Sequence, residues 1–542
     1  MFTWFDYTLF SLLLIVSALI GVYFGFFKTK QNTANEYLWG GKTMTTIPIA
    51  ISVAVSHFSA VTVLVLPADV FRYGGSVWLC SFACVLAPLA AIFVYMPVFF
   101  RLQHISIYEY FEKRFDERTK MLAFVLYVLS AILYFPLVTY APALAFAAAT
   151  GVSVHLTAFV ICAICVFYTT IGGLKAVVWT DFLQFAVITA SLLSVYVIGT
   201  ETSGGFSSVW NTALNGEIFD IFNFGLDLTQ RDNFWAIVLG SSTTMISTLT
   251  IHQTGVQKFL SLPTFRSCVW SIIYAAISEA LIYLLCVLIG LGIYAKYSNC
   301  DPLAIHKITK HDQLLPYYVM DVAGHIPGIP VLFMAAIFSA ALSTMSSILN
   351  SLTLGRDSFA DYVFHRITNG PLLGMFTLGV LFPRANAKGT FFGAIGGLIF
   401  ISTIVFSAKY YQLRHLLQYP SKSLSNTACN TTISGVVNLT TTINNSIEDM
   451  NVTLSSPDSF QVPSIFRVNF FCYSTIGAVA TIVLGLLISY MTKKDESPVD
   501  KALISPIVHF LLGKKIENGD TVSNNRDSGA SELLIMKTVE NV

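Results

Sequence analysis

Apolar residues in this chain come in long unbroken blocks, not in the short alternations or narrow stripes of a soluble fold. A helix needs about 20 mostly apolar residues to span the hydrocarbon of a bilayer. Blocks of that length fall near 7–27, 45–71, 74–100, 121–148, 154–172, 176–199, 233–254, 268–294, 330–352, 390–409 and 470–491. The pattern predicts an all-α polytopic membrane protein of about eleven spans. A further run, PLLGMFTLGVLF at 371–382, is too short to cross as a straight helix. The first block has no basic n-region and no small-residue cleavage site, so it reads as a membrane helix and not a signal peptide. Its Gly21 and Gly25 form a G-x-x-x-G, which marks helix packing but is common in membrane helices.

Basic residues recur on alternate connections. Lys28, Lys30 and Lys42 follow the first span, and Arg101, Lys113, Arg114, Arg118 and Lys120 follow the third. Lys175, then Lys258 and Arg266, then Arg356 and Arg366, then Lys493 and Lys494 continue the series. The positive-inside rule makes that side cytoplasmic, with the N-terminus extracellular and the C-terminus cytoplasmic in a plasma-membrane protein. The polar loop 410–464 then lies outside, where its sequons Asn430, Asn438, Asn444 and Asn451 can be glycosylated. Cys300 and Cys429 fall on the same outer side, which leaves a disulfide between them open. The tail 492–542, rich in Ser, Asn and Asp, is expected to be disordered.

Composition narrows the function. Of 542 residues 55% are hydrophobic and 11% charged, against about 25% charged in soluble domains, so the surplus apolar surface belongs in lipid. A net charge of +1 without a basic, aromatic-interleaved patch argues against nucleic acid. The chain has no G-x-x-x-x-G-K-[ST], H-E-x-x-H or G-x-S-x-G, so neither nucleotide-driven pumping nor these enzyme classes is expected, and no cofactor beyond a coupling ion. Cys162 and Cys165 form a C-x-x-C on an apolar helix face with no second pair, and read as core residues.

The chemistry lies in polar clusters at mid-membrane. ISVAVSHFSAVTVLVLPADV places Ser56, His57, Ser59 and Thr62 in the second span. SSTTMISTLTIHQTGVQ places Thr250, His252, Gln253, Thr254 and Gly255 at a comparable point of the seventh. Ser and Thr at such points either bond back to their own helix or mark a discontinuous helix whose freed carbonyls meet an ion. The matched pair favours the second reading. In the ninth span Ser339, Ser343, Ser346, Ser347 and Asn350 form a stripe beside Thr344, suited to close helix packing, to a hard cation, or to both. Glu279 is deeply placed with no basic partner evident in the sequence, and reads either as a protonated structural group or as a proton or ion site. Asp181 and Gln184 lie in VVWTDFLQF, where Lys175 sets Asp181 only about 9 Å from the cytoplasmic end.

GGLKAVVWTDFLQ, Gly172 to Gln184, resembles the signature of the sodium:solute symporter family. YEYFEKRF at 108–115, YAPALA at 140–145, CDP at 300–302, DQLLPYYVMD at 312–321 and GPLLGMFTLGVLFPRANAKG at 370–389 are similar to its animal branch, which carries monocarboxylates, iodide, biotin and pantothenate. The resemblance implies a LeuT-like five-plus-five inverted repeat after an extra N-terminal helix, with repeats over 45–199 and 233–383. It also implies a sodium site built from the carbonyls of Val55, Phe58 and Ala340 and the hydroxyls of Ser343 and Thr344. It gives Asp181, with Gln184, a part in ion coupling, and puts a substrate cavity near Thr62, His252 and Gln253. The family often has Asn where His252 stands, and apolar Val61 argues against a sugar.

One departure is large. Between Asn350 and Gly370 this chain lacks roughly 40 residues of the family pattern, about one helix and part of the next. A truncated second repeat is therefore expected, its last helix a stub that dips in and returns or lies at the interface. The leading expectation is a sodium-coupled symporter for a small organic anion, a vitamin or a monocarboxylate. The rival is a non-transporting truncated isoform acting as a partner or dominant-negative form of a full-length transporter.

Overall fold

The computed structural model describes residues 4–28, 34–104, 106–219, 222–352, 363–417, 462–492 and 499–511. The four sequons and Cys429 lie outside them. Each expected span is a helix. In chain order they are α1 (Trp4–Val22), α2 (Thr46–His57), α3 (Ala60–Tyr73), α4 (Gly75–Leu102), α5 (Glu117–Thr150), α6 (Val154–Thr202) and α7 (Phe234–Thr250). Then come α8 (Gln253–Leu260), α9 (Phe265–Tyr297), α10 (Leu314–Ala323), α11 (Ile329–Leu352), α12 (Val363–Leu381), α13 (Ala387–Leu413) and α14 (Tyr473–Met491).

Two spans are broken. The pair α2 and α3 bends by 63°, and the pair α7 and α8 by 51°. At the first break Phe58 N–H returns to the Val55 carbonyl at 3.1 Å, and the Ser59 hydroxyl caps α3 by accepting from Thr62 N–H at 3.3 Å. At the second, His252 is extended (φ −83°, ψ 131°), and its carbonyl takes the N–H groups of Gly255 and Val256. Local capping replaces the helical bonds each break removes.

The 49 residues of α6 would run about 74 Å as one helix, more than twice the hydrocarbon thickness. They are two spans meeting at Gly173 (φ 55°, ψ −155°), a conformation that favours glycine. Beside this kink the G-x-x-x-G of α1 seats: a Cβ on Gly21 would stand 2.7 Å from Tyr168 Cα, so only glycine admits α6 so close.

The first repeat is α2/α3, α4, α5 and the two halves of α6. The second opens in the same order with α7/α8, α9 and α11, but α12 follows α11 after only residues 353–362. Ten residues make about 15 Å of helix, half a span, so the counterpart of the first half of α6 is missing. The α12 helix extends N-terminally beyond the apolar run to 19 residues, with polar Thr368 and Asn369 buried against protein, while its apolar part, Ile367–Leu381, stays shorter than a span.

Polar contacts gather at the two ends of the bundle. At one end Lys42 meets Gln103, Lys120 meets Glu112, and Arg114 caps the end of α12. At the other, Arg231 pairs with Asp69 and Lys296 with Asp321. The tail is not wholly unstructured: in 499–511, Leu503 accepts from Tyr110 Oη and Ser505 N–H bonds the Val380 carbonyl, docking the segment at the Arg114 end.

Candidate functional site

Three helices converge below the first break. On α2, Ser52 and Ser56 lie one turn apart and face α6 and α11. On α11, Ser339, Ser343 and Ser347 recur at four-residue spacing and are fully buried. On α6, Asp181 is fully buried. Into this polar wedge α8 inserts Lys258, whose ammonium stands 3.1 Å from Asp181 Oδ2 with both side chains out of contact with solvent.

The ammonium also donates to the Ser52 carbonyl at 3.1 Å, Ser56 Oγ at 2.5 Å and Ser347 Oγ at 2.8 Å. Three N–H groups are thus shared among four acceptors. Ser52 Oγ donates to the same carboxylate oxygen. A buried charge survives only when paired and hydrogen-bonded, and here both partners are. The placement overturns one reading of the sequence: Lys258 does not stand in solvent as a topological marker but is buried against Asp181.

Of the oxygens implied for sodium, those of Thr344 and Ala340 are in direct contact. Thr344 Oγ1 bonds the Ala340 carbonyl at 3.0 Å and reaches the Ser56 carbonyl, between Val55 and Phe58, at 3.3 Å. This joins the broken end of α2 to the hydroxyl stripe of α11. Ser343 Oγ lies beside Asp181. Ser343 Oγ, Asp181 Oδ1 and both side-chain polar atoms of Gln184 are buried without a hydrogen-bond partner among the described residues. Buried orphan polar atoms are costly unless something meets them, and the oxygens among them suit a hard monovalent cation.

The residues expected at the substrate cavity each have a hydrogen-bond partner of their own. Thr62 Oγ1 pairs with Ser59 Oγ at 3.2 Å. His252 Nε2 meets Asn369 Oδ1 of α12 at 3.0 Å, with the Tyr127 ring edge-on at 5.6 Å. Gln253 Oε1 accepts the Ile107 N–H at 3.0 Å. A cavity of about 470 Å³ lies on the α3 side of the first break, walled by Val61, Tyr140, Tyr317 and Phe333, with Lys307 and Asp312 as its charged groups. That size suits a small organic ligand.

Three pairings escaped the sequence: Lys258 with Asp181, His57 with Glu279 at 2.6 Å, and His252 with Asn369. Each joins residues more than 75 positions apart, so no local periodicity signals it. Charge balance was the one available sign, because a buried acid requires a buried base. Cys300 is disulfide-bonded, while the seven other described cysteines form no disulfide.

Comparison with known proteins agrees with this architecture. Residues 37–355 match the sodium:solute symporter family. The chain is 32% identical to sodium-coupled monocarboxylate transporter 2 of Danio rerio, over 92% of this chain and 85% of the relative. It is 31% identical to sodium-coupled monocarboxylate transporter 1 of Homo sapiens, over 93% and 90% of the two chains. A putative sodium-dependent multivitamin transporter of Drosophila melanogaster is 30% identical over 90% and 86%. In fold, the chain resembles a Na⁺-coupled sialic acid symporter solved in a substrate-bound outward-open state, with a TM-score of 0.72 at 21% identity over 92% of this chain and 99% of that one. Broken helices in matching positions, an oxygen-lined junction between the first of them and α11, and relatives spanning almost the whole chain lead to one assignment: this protein belongs to the sodium:solute symporter family.

Proposed function

We propose that this chain is a sodium-coupled symporter that carries a small organic anion, a monocarboxylate or a vitamin such as biotin or pantothenate, across the plasma membrane by alternating access. The observation that carries the reading is the junction of Thr344 with the Ser56 carbonyl. In this reading the carbonyls of Val55, Phe58 and Ala340 and the hydroxyls of Ser343 and Thr344 hold one ion at the boundary between α2 and α11. A sodium ion held there is bound only while α2 and α11 stay together, so it favours one arrangement of the bundle. Differential affinity between arrangements is what couples an ion to a second ligand.

Asp181 and Gln184 act on the ion from below, with the Asp181 charge balanced by Lys258. The anion enters past the 470 Å³ cavity toward Thr62, His252 and Gln253. In this reading the Arg114 end faces the cytoplasm, the N-terminus and the loop with Asn430, Asn438, Asn444 and Asn451 face outward, and Cys300 bridges to Cys429. The rival reading of a non-transporting isoform gains no support from the relatives named above, which are transporters.

The test is uptake of labelled lactate, biotin, pantothenate and iodide by cells expressing this chain, with sodium or with choline. Sodium-dependent uptake of lactate or a vitamin is expected. Sodium-independent uptake, or none at full surface expression, would reject the proposal.

A further inference from the structure

Residues 499–511 belong to the tail expected to be disordered, yet they are fitted into the end of the bundle that carries Arg114. Leu503, Ile504 and Ser505 are buried, the last two completely. Asp500 opens the segment by accepting the Ala502 N–H at 2.9 Å. His509 Nε2 closes it, meeting the carbonyls of Lys501 at 3.2 Å and Ile504 at 3.1 Å. Three bonds seat the segment on the bundle. Tyr110 Oη donates to the Leu503 carbonyl at 3.0 Å, and Ser505 N–H donates to the Val380 carbonyl of α12 at 3.0 Å. Ser505 Oγ donates to the Phe93 carbonyl of α4 at 3.4 Å. The segment therefore straps α4 of the first repeat to α12, and Ser505 is the residue that touches both.

Ser505 is followed directly by Pro506, the dipeptide that proline-directed protein kinases recognise. Its seat has no room for a phosphate chemically. Both groups bonded to Ser505 are backbone carbonyls, which only accept. A phosphoserine carries about −1.5 to −2 charge and adds acceptor oxygens, so neither carbonyl can meet it. The guanidinium of Arg114, one turn from Tyr110, is already spread over the carbonyls of Gly379, Phe382, Pro383 and Ala385. An unpaired charge in a site closed to water is not tolerated. Phosphate and docking therefore exclude one another. The docked serine is equally closed to an enzyme, so it is reached only when the strap lifts, and segments held by few contacts open locally at small cost.

We propose that Ser505 is a phosphorylation site, and that its phosphate holds the strap 499–511 off the cytoplasmic end of α4 and α12. A proline-directed kinase supplies ATP as phosphoryl donor. The bond from Ser505 Oγ to the γ-phosphorus forms, the bond from that phosphorus to the β-phosphate oxygen breaks, the hydroxyl proton passes to the kinase's base and ADP leaves. The inference rests on the orientation proposed above, which puts the Arg114 end, and with it Ser505, on the side where ATP and kinases are found. Docked and lifted forms make the two states, and the phosphate selects the lifted one because it is compatible with that form alone.

The test uses the purified full chain in detergent with a proline-directed kinase and magnesium ATP. Phosphate on Ser505 is read by mass spectrometry, and docking by amide hydrogen exchange across 499–511. Slow phosphorylation of the unaltered chain is expected, with loss of exchange protection in the modified molecules. Tyr110→Phe keeps the ring but removes one seating bond, and should speed phosphorylation about fivefold, the population change that one net hydrogen bond carries. Ile504→Glu puts a charge at a fully buried position of the strap and should give the fastest labelling. Equal rates in the unaltered chain and in Ile504→Glu would overturn the guarded dock. An unmodified Ser505 in Ile504→Glu would overturn the site, and full exchange protection in the phosphorylated chain would overturn the switch. Sealed right-side-out vesicles treat the orientation separately: added kinase should label Ser505 only after permeabilisation. Labelling of sealed vesicles would overturn the orientation, and control from the cytoplasm with it, whatever the result in detergent.

Discussion

Lys258 Nζ and Asp181 Oδ2 stand 3.1 Å apart in the middle of the bundle, joining α8 of the second repeat to α6 of the first. The two side chains are 2% and 0% exposed, so neither charge is tolerable alone. Removing one partner of a buried pair costs about 3–5 kcal/mol, whereas removing both is far less harmful. Lys258→Met and Asp181→Asn should each lower thermal stability and surface expression strongly, and the double variant should recover most of the loss. A double-mutant cycle on unfolding in detergent measures the coupling, and additive losses would show that the pair does not act as a unit.

Sodium dependence should reside in α11. Ser343→Ala with Thr344→Ala removes the hydroxyls at the α2 junction without touching the Lys258 bonds, so surface expression is expected to persist while sodium-dependent uptake is abolished. Uptake assayed against external sodium checks this, and an unchanged sodium dependence in the double variant would refute the site.

Arg114 closes the end of α12. Its Nε donates to the Gly379 carbonyl at 3.2 Å and its Nη2 reaches the carbonyls of Phe382 at 3.1 Å and of Pro383 and Ala385 at 3.4 Å. Hydrogen bonds to a charged group contribute about 1.5–3 kcal/mol, and the compact lysine ammonium cannot reproduce the planar fork. Arg114→Lys should therefore destabilise by about 2 kcal/mol and speed amide exchange across 379–385. Exchange unchanged from the parent chain would contradict the cap.

Gly21 sets the contact of α1 with α6. Gly21→Leu should separate the two helices and reduce stability, because the new side chain meets Tyr168 and Ile171 lies a turn on at Gly25. Leu19→Ala on the exposed face of α1 serves as the control and should be nearly neutral. Equal stability of the two variants would mean that the close approach contributes nothing.

Hydropathy alone located the spans, because a helix in lipid must satisfy its backbone internally and must be long and apolar to do so. The matched polar clusters around His57 and His252 gave both breaks, since backbone freed from a helix needs polar residues close in sequence to receive it. The shortened connection after Leu352 was expected only through the resemblance to the family pattern, since residues 353–362 carry no hydropathy signal of an absent helix. Tertiary structure alone decided which charges neutralise one another. Lys258 lay open to two placements, solvent or core, and only the packing of α8 between α2, α6 and α11 brings it to Asp181. The same holds for His57 with Glu279 and for Asn369 with His252. A side chain's pairing depends on which helix faces fold together, and no periodicity within one helix carries that information.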